Sequence, residues 1–139
     1  MENVIGLVMA AGVDDRMKSK KSKLAQELYG KAVIKRVVDN IKKAGVKEVA
    51  VIVGENKQEI EDILKDEVTY LYQEKCLGTG HAIMQATEYL ESKKGRVLIA
   101  NGNIPLITPN TIKTLMEKSI HEEEAATILT GIISDPTGY

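Results

Sequence analysis

Residues 4–12 read Val-Ile-Gly-Leu-Val-Met-Ala-Ala-Gly, and no other stretch of the 139-residue chain restricts the fold as strongly. A near-continuous apolar run that ends in small residues is the pattern of a strand buried on both faces. Directly after it, residues 13–23 have no apolar period and carry five cations, Arg16, Lys18, Lys20, Lys21 and Lys23. A basic loop at the carboxyl end of a central parallel strand is where open α/β sheets place their ligands. Ala10, Ala11 and Gly12 have little or no side chain, so a ligand can lie close against their backbone. The alternative is a solvated charged loop, the usual fate of a charge run.

The rest of the chain alternates strand and helix patterns. Residues 31–45 form an amphipathic helix with Val33, Ile34, Val37, Val38 and Ile41 as its apolar stripe and Gly45 as its stop. Residues 48–53 are a second buried strand, followed by a helix near residues 57–65 and a third strand over 68–72. The segment Leu77-Gly78-Thr79-Gly80-His81 opens a helix that runs to about Lys93. A fourth strand covers residues 96–100, Thr108 and Pro109 start the last helix as N-cap and first helical residue, and residues 126–133 form a fifth strand. Such alternation predicts an α/β fold, a Rossmann-like, doubly wound and mostly parallel sheet with helices on both faces. No repeat, low-complexity tract or linker divides residues 1–139, which read as one domain.

Composition excludes several classes of function. A net charge of −1 provides no global basic field for nucleic acid. Phe and Trp are absent, so stacking platforms for single strands are not expected. No apolar stretch approaches the roughly 18–20 residues of a membrane span, and residues 1–3 lack the basic start of a signal peptide. The single Cys76 rules out an internal disulfide and fits a reducing cytoplasm.

Three strand-end loops carry unusual residues, 12–23, 73–81 and 101–106, and a doubly wound sheet brings its strand ends to one edge. Gly78 and Gly80 flank Thr79 at a helix start, a geometry that offers free backbone N–H groups or serves as a plain turn. His81 at that helix opening reads as solvated or packed rather than ligand-holding, and Cys76 reads as inert.

The motifs together are specific. Val8-Met9-Ala10-Ala11-Gly12 with Arg16, Met17 and Lys23, then Gly30-Lys31, resembles the opening signature of sugar-1-phosphate nucleotidyltransferases. Gln73 with Leu77-Gly78-Thr79-Gly80-His81-Ala82, the segment Gly102-Asn103-Ile104-Pro105-Leu106, and residues 126–130 and 135–139 are similar to the uridyltransferase domains within that family. The resemblance implies the nucleotide-binding part of a nucleotidyltransferase domain. Its reaction would convert UTP and N-acetylglucosamine 1-phosphate to UDP-N-acetylglucosamine and pyrophosphate with Mg²⁺ as cofactor, so UTP or a UDP-sugar is the partner. Arg16 and Lys23 would neutralise the triphosphate, and Ala10, Ala11 and Gly12 would lie under the nucleotide. Gln73, Gly78 and Thr79 would read the uracil, and Gly138 would meet the substrate.

The chain departs from that pattern where charge is handled. Asp14-Asp15 stand where the resembled family has Gly-Thr, and Ser22 replaces a proline, which is expected to loosen the loop. Asn103 stands where the family has an aspartate ligand to Mg²⁺, a degenerate metal position. The second half of the family's catalytic domain, with most of its sugar site, has no counterpart among these residues. The alternative reading is therefore an inactive nucleotide-binding fragment, truncated or engineered. Residues 126–133 are apolar and uncharged, which predicts self-association as a homodimer through an open sheet edge.

Overall fold

A computed structural model describes residues 3–13, 17–120 and 124–137. Four parallel strands form the central sheet: β1 (Val4–Met9), β4 (Glu48–Val53), β5 (Thr69–Tyr72) and β6 (Arg96–Asn101), in the order β5-β4-β1-β6. The chain thus builds outward from β1 through β4 to β5, then returns to the other side of β1 for β6. That reversal between β1 and β6 is the switch point of a doubly wound sheet.

Alternation along the two central strands fixes the layers. Val8 and Ala10, with Val49, Val51 and Val53, face helices α1 (Val33–Lys43), α2 (Lys57–Leu64) and α5 (Pro109–Lys118). Leu7 and Ala11, with Ala50 and Ile52, face α3 (Thr79–Met84) and α4 (Thr87–Glu91). In α1 the residues Ile34, Val37, Val38 and Ile41 are all 0% exposed, the i, i+3, i+4, i+7 stripe of a core-facing helix. Gly6 lets that helix approach closely, since a Cβ built there would stand 3.2 Å from Ile41 Cγ2 and 3.2 Å from Val49 Cγ2. On the opposite face the Tyr89 hydroxyl donates to Glu48 Oε1 at 2.6 Å and Lys93 pairs with the same carboxylate, tying α4 to the start of β4. Burial, then the bond to Glu48, pushes the Tyr89 phenol up to about 12.

Three sequence expectations need correction. Lys31–Ala32 is not helix but strand β3, paired antiparallel with β2 (Glu27–Leu28). Tyr29 and Gly30 both have positive φ, 51° and 71°, and two left-handed residues in a two-residue loop close a hairpin before a helix can start. The helix expected from Leu77 to Lys93 is two helices. At the end of α3 the backbone tightens, with Gln85 N–H bonding to the Ala82 carbonyl and Ala86 N–H to that of Ile83, while Thr87 Oγ1 caps Met84 O at 2.8 Å.

The third correction concerns residues 126–133, which form no strand. They run exposed, with Ile132 and Ile128 open to solvent, and a groove of about 930 Å³ separates residues 124–129 from β6. Strand composition needs a neighbour's N–H and C=O groups to become a strand, and among the described residues β6 pairs with β1 alone. Thr108, by contrast, caps α5 as its sequence predicts, accepting from Thr111 N–H at 3.1 Å.

Ile41→Ala should lower the unfolding free energy by about 2–5 kcal/mol, because the cavity would open between α1 and β1. Urea denaturation measures it; a loss below about 1 kcal/mol would show that α1 does not close this core.

Candidate functional site

Four strand ends meet at the carboxyl edge of the sheet, and backbone hydrogen bonds stitch them together. Ala10 N–H donates to Ile52 O at 2.8 Å, Gly102 N–H to Met9 O at 2.9 Å, and Gln73 N–H to Val53 O at 2.8 Å. Ala10 and Ala11 are buried, and Gly12 is exposed with open space where a side chain would stand. The small residues thus end β1 in a shallow floor at the switch point. Gly102 is packed hard beneath the neighbouring turn, a Cβ there meeting Met9 O and Ile34 Cδ1 at 3.0 Å each. Asn103 follows it, exposed.

Contacts across the chain hold the edges of this floor. The Cys76 thiol donates to Ala11 O at 3.1 Å, which draws the turn after β5 back over the end of β1. Cys76, read from sequence as chemically inert, is thus a structural tie. Asn56, just beyond β4, is more important still. Its Nδ2 donates to Ala10 O at 2.9 Å and to Ser22 Oγ at 3.3 Å, while its Oδ1 accepts from Gly54 N–H at 3.2 Å. Ser22 caps the short turn Lys23–Ala25, and its own N–H donates to Glu59 Oε2 at 2.8 Å. Proline has no N–H to give, so Ser22 anchors the returning end of the basic loop where looseness was expected. That anchor sets the backbone of Lys23. Lys18, Lys20 and Lys21 are exposed along the loop.

Gln73 differs from its surroundings. It is 3% exposed, and its Nε2 lies 2.8 Å from His81 Nδ1 and 3.4 Å from Gly78 O. Gly78 adopts φ 101°, a left-handed conformation that turns the chain into α3, with Thr79 exposed as the first helical residue. The structure therefore brings Ala10, Ala11, Gly12, Gln73, Gly78, Thr79, Lys23 and Asn103 to one edge. Arg16 and Gly138, and also Asp14 and Asp15, lie outside the described residues. Asn56, Glu59 and Cys76 were missed by sequence reasoning; an Asn two residues past a strand-ending glycine was the available signal for the first.

Among the described residues, no three His, Cys, Asp or Glu side chains gather where they could hold a metal. Asn103 offers one neutral amide oxygen, and a hard cation such as Mg²⁺ prefers carboxylates, so these residues do not fit a protein-held Mg²⁺. No helix among them is long and apolar enough to cross a membrane.

Residues 6–132 match the family described as MobA-like NTP transferase domain. The chain is 47% identical over all 139 of its residues to the bifunctional protein GlmU of Thermoanaerobacter pseudethanolicus, and equally so to that of Caldanaerobacter subterraneus, spanning 30% of each relative's length. Among solved structures, a nucleotidyl transferase from Methanothermobacter superposes with a TM-score of 0.69 at 23% identity, over 82% of this chain and 56% of the other. A 4-diphosphocytidyl-2C-methyl-D-erythritol synthase from Anaerococcus prevotii gives 0.66 at 17%, over 84% and 51%. At those identities the two structures share the fold, and the fold is all they establish.

Asn56→Ala should cost about 1–3 kcal/mol of stability, because Ala10 O and Gly54 N–H would be left without their side-chain partner. Amide exchange at Ser22 and Leu24 should quicken with it. Unchanged exchange at both would show that Asn56 does not hold the loop.

Proposed function

This chain belongs to the MobA-like NTP transferase domain family, and from that premise we propose that it binds a uridine nucleotide across the carboxyl ends of β1 and β6. It is the nucleotide-binding part of a uridyltransferase acting on N-acetylglucosamine 1-phosphate. The observation that carries this reading is the pairing of a floor of small residues at Ala10, Ala11 and Gly12 with the buried carboxamide of Gln73, on a turn that the Cys76–Ala11 bond ties to the end of β1. A floor of small residues suits a nucleotide, and a fixed carboxamide suits the edge of a base.

In the proposed reaction a phosphate oxygen of the sugar phosphate attacks the α-phosphorus of UTP. The new P–O bond forms as the bond to the β-phosphate oxygen breaks, and pyrophosphate leaves. Lys23, and Arg16 from the same loop, supply positive charge for the triphosphate and for the charge that develops on the leaving group. Divalent metal is the usual partner of such chemistry, but Asn103 provides no carboxylate for it here. The chain's own turnover is accordingly weak or lost, and Asp14 and Asp15 weaken triphosphate binding by like-charge repulsion. Calorimetric titration with UTP tests the reading. Saturable binding with a dissociation constant below about 1 mM supports it, and the absence of heat across that range overturns it.

Two variants sharpen the charge argument. Asp14→Gly with Asp15→Thr should tighten UTP binding about tenfold or more, since removing two carboxylates from a phosphate loop is worth roughly 1–3 kcal/mol. An unchanged constant would mean that the loop does not touch phosphate. Asn103→Asp should strengthen nucleotide binding in Mg²⁺ and leave metal-free binding nearly as it was, because one carboxylate together with substrate phosphates is a sufficient Mg²⁺ site. Equal gains with and without the metal would remove position 103 from that role.

The exposed run of residues 126–133 beside the open edge of β6 is also the face through which we propose that two copies pair. Sedimentation equilibrium should then give twice the chain mass and Ile128→Lys should halve it; a mass equal to one chain in the unmutated protein would end the idea.

A further inference from the structure

The Gln73 side chain ends among groups that decide which way round its carboxamide lies. A carboxamide has one end that donates and one that accepts, and the two are distinguished only by their partners. Gly78 O, 3.4 Å from Nε2, is a backbone carbonyl and accepts in every state of the protein. His81 Nδ1, 2.8 Å from the same Nε2, accepts only when that ring nitrogen carries no proton. On the far side of the ring Gln85 Nε2 stands 3.3 Å from His81 Nε2, and is itself held at 3.1 Å by the carbonyl of His81. Two amide nitrogens thus flank one imidazole, each kept nitrogen-inward by a backbone carbonyl. A neutral ring accepts at one nitrogen and carries its proton on the other. We take the shorter contact, at Nδ1, as the hydrogen bond, which places the proton on Nε2 and leaves the 3.3 Å approach of Gln85 Nε2 a contact between two donors rather than a hydrogen bond.

With both N–H bonds of Gln73 engaged, Oε1 is what the carboxamide has left. It makes no hydrogen bond among the described residues, and although Gln73 as a whole is 3% exposed, this oxygen is not sealed from solvent. An acceptor held without a partner at a nucleotide floor selects a ligand edge that donates.

We propose that His81 is a specificity-determining, positioning residue: by accepting from Gln73 it turns Oε1 toward the bound base and selects a pyrimidine whose N3 carries a proton. Uracil meets that condition. Cytosine presents a lone pair at N3 and meets Oε1 with repulsion, so a binding site of the same shape rejects it. A ring protonated on Nδ1 would set its N–H against Nε2 and favour the turned-over carboxamide at the loss of the longer, 3.4 Å bond to Gly78 O, presenting Nε2 to the ligand and reversing the preference. The proposal rests on the uridine-nucleotide reading above, and extends it to a residue that does not itself touch the base.

Two measurements test it. The chain has two histidines, His81 and His121, so a His121→Gln variant leaves one ring to observe. Long-range proton–nitrogen correlation spectra of that variant, without ligand, should show the Nε2–H tautomer; the Nδ1–H tautomer overturns the proposal. Uridine and cytidine, which carry the base without the phosphates, are then titrated into the unmutated chain, His81→Phe and His81→Asn, with chemical shifts as the readout. The unmutated chain should favour uridine by about tenfold, the worth of one buried hydrogen bond. His81→Phe, which keeps the ring shape but cannot accept, should bring the ratio to within about twofold of unity. His81→Asn, whose Oδ1 can accept where Nδ1 did, should restore it. A ratio unchanged in His81→Phe overturns the role of His81 alone, whereas binding of neither nucleoside by the unmutated chain overturns the uridine reading as well.

Discussion

Burial of β1 on both faces is the constraint on which the candidate site depends. Val8 and Ala10 are locked under α1 and α2, Leu7 and Ala11 under α3 and α4, and all four are 3% exposed or less. A strand held from both sides cannot slip in register without moving its apolar set to the wrong face. The backbone at Ala10 and Ala11 therefore ends at a fixed place, and every group of the site is tied to that place. Ala10 O receives Asn56, Ala11 O receives Cys76, and Met9 O receives Gly102 N–H.

The ties at Ala10 O and Ala11 O use backbone carbonyls that a continuing strand would have paired, while the bond at Met9 O carries the β1–β6 ladder one residue further. β1 stops at Met9, its last carbonyls turn toward neighbouring loops, and the loops are thereby drawn in over the strand end. Each carbonyl is a buried acceptor that must be satisfied. The same need that closes the sheet edge also assembles the site, so a substitution at Asn56 would be felt both as lost stability and as a displaced basic loop. Ser22 shows how local chemistry can invert an expectation. A residue without proline's rigidity still anchors the loop, because its N–H reaches Glu59 and its hydroxyl reaches Asn56 and Leu24.

Where the sequence misled, the missing information was a partner. Residues 126–133 have the composition of a strand, but composition describes one side of a ladder; without N–H and C=O groups opposite them they stay exposed, the first of them beside a groove. Residues 31–32 have helical neighbours, but Tyr29 and Gly30 adopt the left-handed pair that closes a hairpin. His81 was legible as a residue at a helix opening, solvated or packed. That it lies between two carboxamides was not, since Gln73 precedes it by eight residues and Gln85 follows by four on a helix whose start depends on the positive φ of Gly78.

The sequence by itself determined the doubly wound architecture, because an apolar run ending in Ala-Ala-Gly is stable only between two layers of helix, and strands separated by helices must run parallel. It also determined that the loops after β1, β5 and β6 would meet, because parallel strands share one carboxyl edge. Only the tertiary structure decided what those loops do to one another. Hydrogen bonds such as Asn56 to Ala10, Cys76 to Ala11 and Ser22 to Glu59 join residues 37–65 positions apart. Pattern and propensity act over a few residues, whereas the direction of a buried acceptor is set by whichever donor the fold brings beside it.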